Sequence, residues 1–215
     1  MAKFTQIPAN TFKEIQLNAG VLCSAFDPEA AKVTEGSIFG ATSGGVNFTA
    51  TPSFTDFGED IDNCPANMKE FKKLDSVEAK MTGTYVTVNT ALGKQLAAAA
   101  DVDASTGKIT PRSELKDSDF ADVWFVGDYS DVNDEENGGF IAIRLIDALS
   151  TGGFQIQTTT KAKGQFAFEY TGHYSMEDPT KVPYELYIKA GKSAASHQAA
   201  EGGQPAVAST DESGE

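Results

Sequence analysis

Few side chains in this sequence are of types that do chemistry, and their spacing limits what they can do. Two histidines occur, His173 and His197. His173 falls inside an alternating run and His197 in a stretch of small polar residues. Neither sits in an acid–base constellation, so an ordinary polar role is the plain reading. Asp117, Asp119 and Asp122 lie close together, as a hydrolase's carboxylates can, but a chain with 31 Asp and Glu clusters carboxylates by composition alone. The run 128–137, DYSDVNDEEN, spaces Asp131, Asn133 and Glu135 like alternate oxygen ligands of a calcium loop. Glu136 stands where that loop needs its turn glycine and no glutamate closes it, so a solvated hairpin loop is expected instead of a metal site. Cys23 and Cys64 are the only cysteines and lack metal-ligand spacing. Reduced thiols in a cytoplasm are the expected state, ahead of a disulfide between them. No GxSxG, HExxH, P-loop or GxGxxG occurs. The expectation is a protein with no catalytic residues, no cofactor and no metal.

Charge narrows the partners. Seventeen Lys and Arg against 31 Asp and Glu leave a formal −14, which opposes electrostatic binding to nucleic acid or an anionic membrane. The opening MAKFTQIPANTFKEIQL is broken by Pro8 and charged at Lys13 and Glu14, unlike a secretory signal, and no run is long enough for a membrane-spanning helix.

The elements that would position any site are mostly strands. Gly152 to Tyr174 reads as an antiparallel hairpin: Phe154 and Ile156, then Phe166, Phe168, Tyr170 and Tyr174, fall on an apolar face. Its other face carries Gln155, Gln157, Thr159, Gln165, Glu169, Thr171 and His173, mostly amides and hydroxyls, and must look at solvent, a partner or an enclosed wet space. Val46, Phe48, Ala50 and Phe54 alternate in a similar strand, which Pro52 assigns to an edge. A long protruding loop is expected over 58–73, with Met68, Phe71 and Leu74 available to dock. Val77 to Asn89 alternates again, Thr90 is the expected cap of a short helix over ALGKQLAAAA, and a loop or small hairpin follows. Phe120 to Asp128 has apolar residues on both faces and reads as a central strand, beside Gly139 to Leu149. YELYIKAG is the last strand. The expected organisation is an extended arm over 1–35, a β domain over 36–190 and a disordered tail over 191–215.

This order of elements, NTFKEIQLNAGVL in the arm, then VWFVGDYS, GGFIAIRLIDALS and GGFQIQTTTKAKGQFAFEYTGHYS, resembles the major tail protein, or tail tube subunit, of long-tailed bacteriophages. The likeness covers roughly residues 10 to 190 and lies in the succession of segments, since the family has no compact motif. It implies a mainly β fold, an antiparallel β-sandwich or partial barrel with one short flanking α-helix. It implies hexameric rings, joined through their inner sheets and stacked into a tube that conducts genome DNA without specific binding or reaction. Gln155, Gln157, Thr159, Gln165, Glu169 and Thr171 would line the lumen, with Thr82 and Thr84 as additions. Phe12, Ile15, Leu17, Met68 and Phe71 would contact neighbouring subunits. The implied partners are further copies of the chain, the tape-measure protein, and the tail terminator and distal tail proteins. The implied location is the virion tail, preceded by the host cytoplasm. A monomeric ligand- or carbohydrate-binding β-sandwich module is the alternative.

Overall fold

A computed structural model of the chain describes Ile7, Thr11, residues 14–130 and residues 138–192. Phe12, Asp131, Asn133, Glu135, His197 and the tail from Ser193 onward lie outside the described residues.

The architecture follows from which strands have one apolar face and which have two. β8 (Ala121–Tyr129) is apolar on both, and it lies between β1 (Gln16–Cys23) and β9 (Gly139–Ser150). β11 (Tyr184–Lys189) pairs with the other side of β9, completing a first layer. The second layer is β4 (Thr42–Asp56), β5 (Lys72–Tyr85) and β10 (Phe166–Thr171), with β5 in the middle. All pairings are antiparallel. The layers are not separate: Leu149 and Ser150 at the end of β9 pair with Thr171 and Tyr170 of β10, so one hydrogen-bonded sheet folds over on itself. This is the expected mainly β sandwich or partial barrel.

Val123, Phe125, Ile143 and Leu145 from the first layer meet Ala79, Met81, Tyr85, Phe166, Phe168 and Tyr170 from the second in the main core. α1 (Thr90–Leu96), the short flanking helix, adds Leu92 and Leu96 to it. Its cap is Asn89, one residue before the expected Thr90: the Asn89 carboxamide oxygen accepts the Leu92 amide at 2.8 Å. The turn-rich stretch after it forms a small hairpin of β6 (Ala100–Asp103) and β7 (Lys108–Pro111).

The first layer is covered on its outer face too. β2 (Phe26–Asp27) and β3 (Lys32–Val33) form a short hairpin whose Phe26 and Val33 close over Cys23, Trp124, Phe140 and Ala142. Residues 16–35, expected as part of an extended arm, are therefore built into the domain. β1 escapes a period-two reading because a bulge between Leu17 and Val21, with Asn18 and Gly20 at positive φ, switches faces mid-strand.

The 152–174 hairpin is only half a pair of strands. β10 forms as expected, but residues 154–165 make an irregular excursion pinned by one bridge, in which Gln157 and Gln165 exchange both backbone hydrogen bonds at 2.8 and 2.9 Å. Phe154 and Ile156 are 48% and 57% exposed and Tyr174 is 39% exposed, so these three are not core residues. The first arm lacks a neighbour along most of its length, and alternation alone cannot hold a strand that has no ladder to join.

Candidate functional site

The described residues among those singled out for chemistry are not gathered into one site. Asp119 is held by both ends of its carboxylate: the Arg112 guanidinium donates to its two oxygens at 2.7 and 2.8 Å, and the Lys116 amide donates at 2.9 Å. That amide and Arg112 keep its pKa below the usual carboxylate range. Asp122 belongs to a different network, accepting from Arg144 at 2.6 and 2.8 Å, while Arg144 also reaches Glu185 at 3.1 Å. His173 stands 3.0 Å from the Asp147 carbonyl through Nδ1 and packs edge-on against Phe120. Cys23 and Cys64 are free thiols, and burial raises the pKa of Cys23. Among the described residues no group of three or more His, Cys, Asp or Glu is placed to hold a metal, and no helix is long and apolar enough to cross a membrane.

What the fold does assemble is a surface. Side chains alternate across β4, β5 and β10, and the apolar set points into the core, leaving the other set on the outer face of the second layer. Asn47, Thr82 and Glu169 form one rung across the three strands, and Thr49, Lys80 and Thr171 form the next. Thr51 and Glu78 extend it at one end, and Thr84 and Ala167 at the other. The bridged excursion continues it sideways, because Gln155, Ile156, Gln157 and Gln165 line a shallow cavity together with Thr84 and Ala167. Thr151 ties the surface to its frame: its hydroxyl donates to Glu169 Oε1 at 2.9 Å and lies 2.8 Å from the Thr171 hydroxyl. Five of the six residues expected on a lumen wall, together with Thr82 and Thr84, thus share this region. Thr159 sits further out, at the turn closed by the Ala162 amide to the Thr159 carbonyl, where Lys161 and Lys163 also stand.

No protein-family model matches the chain, and neither does any curated protein sequence.

The second notable feature is the β4–β5 hairpin. Its strands run on past the core to Asp56 and Lys72, so the expected 58–73 loop is in fact a tip over 57–71 on a long two-stranded stalk. β4 is the outer strand, with Pro52 on it opposite Val77, as the edge assignment required. The inward apolar stripe of the hairpin also continues beyond the core. Phe54 pairs with Leu74 there, and Phe54, Leu74, Phe57 and Ile61 are all about half exposed. Met68 and Phe71, expected as contact residues, are half-buried within the tip, where Met68 Sδ lies 3.5 Å from Cys64 Sγ. Ile15 and Leu17 are exposed beside β8. Sequence reading missed Phe57 and Ile61. Their signal was available in Phe54-x-x-Phe57, apolar residues carried past the point where the strand leaves the core.

Proposed function

We propose that the chain is a structural subunit of a phage tail tube, in which copies close into hexameric rings and the rings stack around a DNA conduit. The carrying observation is the unequal covering of the two layers. β2 and β3 cover the outer face of the first layer over Cys23, Trp124, Phe140 and Ala142, whereas the outer face of the second layer is open and rich in threonine, asparagine and glutamine. Its charges are Glu78, Lys80 and Glu169, and apart from Ala167 and Ile156 the other outward side chains are hydroxyls and amides. A bore must stay wet yet hold no phosphate, since each cation that meets a phosphate releases counterions and strengthens binding. Hydroxyls and amides meet both requirements. The proposed lining is Gln155, Gln157, Gln165, Glu169 and Thr171, with Thr82 and Thr84, and Thr159 at its margin.

Two further features support assembly. β4 offers a long unpaired edge, which a neighbouring copy can cap by continuing the sheet. The hairpin tip carries apolar side chains past its own core, as a contact onto another subunit requires. The tape-measure, terminator and distal tail proteins, and residence in the virion tail, belong to this proposal through the family resemblance. Negative-stain microscopy of the concentrated protein tests it. Rings or tubes are expected, and monomers persisting across salt and concentration would sink the reading.

A further inference from the structure

Lys80 is the one cation among the outward-facing residues of β4, β5 and β10 from Asn47 to Thr51, Glu78 to Thr84 and Ala167 to Thr171. On this stretch of sheet it is the side chain that could bind phosphate, Lys161 and Lys163 standing off it at the turn after Thr159. We propose that Lys80 is caged, its ammonium held by Glu78 and faced by Glu169 so that this stretch of sheet offers DNA no free positive charge; the inference rests on the open face being a DNA-facing wall. Lys80 Nζ lies 2.7 Å from Glu78 Oε1, two residues away on the same strand face. Glu169 comes from the other side. It stands opposite Thr82 while Thr171 stands opposite Lys80, so the carboxylate and the ammonium are diagonal neighbours across the β5–β10 ladder. The Thr151 hydroxyl, on the β9 flank of β10, holds that carboxylate toward Thr171, the residue opposite Lys80.

An exposed ion pair of this kind contributes little to folding. Its effect on a passing phosphate is larger. The phosphate must displace Glu78 from the ammonium and approach a second carboxylate, and the three side chains together carry net negative charge. Repeated around a closed ring, an uncaged lysine would become a belt of phosphate contacts.

The test is binding of a short fluorescein-labelled DNA duplex at low salt, followed by anisotropy. Wild-type protein should bind weakly. Glu78→Gln with Glu169→Gln should bind about fivefold tighter or better, with the gain lost as salt rises. Adding Lys80→Gln to that pair should abolish the gain. A control, Glu59→Gln with Asp60→Asn on the hairpin tip, makes the same change in net charge and should gain less than the cage variant. No gain in the cage variant, a gain that survives Lys80→Gln, or an equal gain in the control would each overturn the proposal. Microscopy of the same variants separates the two readings: rings or tubes without a Lys80-dependent gain sink the cage alone, whereas failure of every form, wild type included, to assemble sinks the tube.

Discussion

Tyr85 and Tyr170 are the largest fully buried side chains among the described residues, and neither hydroxyl has a hydrogen-bond partner of good geometry. Burial raises both phenol pKa values well above the ordinary one. Removing one hydroxyl should therefore cost little. Tyr170→Phe is expected to change stability by less than about 1 kcal/mol, in either direction, whereas Tyr170→Ala should lose about 3–5 kcal/mol, both measurable by urea denaturation. The pH dependence has a definite sign. A phenol whose pKa is higher in the folded state contributes stability that is fully present below about pH 10 and falls as pH rises beyond it. Ultraviolet titration should find these two tyrosines protonated until alkaline unfolding exposes them. Asp119 gives the acid-side counterpart. Its lowered pKa contributes stability present above about pH 4 and lost as pH falls through the folded value, so Asp119→Asn should lower the melting temperature by a few degrees at pH 7 and flatten the acid limb of a melting curve. At this scale the sequence showed that Asp117, Asp119 and Asp122 are close in the chain, but not that Arg112 and Arg144 divide them. Arg112 lies just past β7 and Arg144 on β9, and the sequence does not say which carboxylate each one takes.

Among the elements, the β4–β5 hairpin separates stability from association. Its tip makes its own contacts and lies beyond the core, so replacing residues 59–69 by a short turn should leave the thermal melt of the domain nearly unchanged while abolishing rings or tubes under the microscope. An equal loss of stability and assembly would mean that the tip belongs to the core. The opposite behaviour is expected at the start of β9. A Cβ at Gly139 would collide with the Lys189 carbonyl and the Gly191 amide, backbone atoms that cannot swing aside. Gly139→Ala should therefore cost more than about 2 kcal/mol by denaturant titration. Strands with an intact period of two were legible: β4, β8, β9, β10 and β11 lie close to where alternation or a continuous apolar run put them, whereas β5 runs from Lys72 to Tyr85 where Val77 to Asn89 was expected. β1 was not, because its bulge breaks the period, and the 154–159 run was read as a strand because its alternation is real although its ladder is missing.

For the whole molecule, the fold class could be read because one-faced and two-faced strands demand different layers. The covering of the first layer could not, since Phe26 and Val33 reach Trp124 only through a small hairpin whose two-residue strands leave no periodic trace. The same asymmetry yields a prediction for the assembled particle. Gln157→Lys with Glu169→Lys leaves the core untouched, so the subunit should fold and assemble. Such tubes should retain labelled duplex DNA in a salt-dependent way that wild-type tubes do not.

The sharing of β9 between the two layers has a consequence for how the chain is made. β1 pairs with β8 across more than a hundred residues of sequence, and among the described residues the two layers share a ladder where β9 meets β10. On the ribosome, β4 and β5 can pair as soon as both emerge, long before their core partners exist. The apolar stripe of that hairpin, from Val46 to Leu74, must then wait uncovered through the synthesis of about half the chain. Nascent chains should accordingly stay sensitive to protease until β11 has left the exit tunnel, then become resistant in one step.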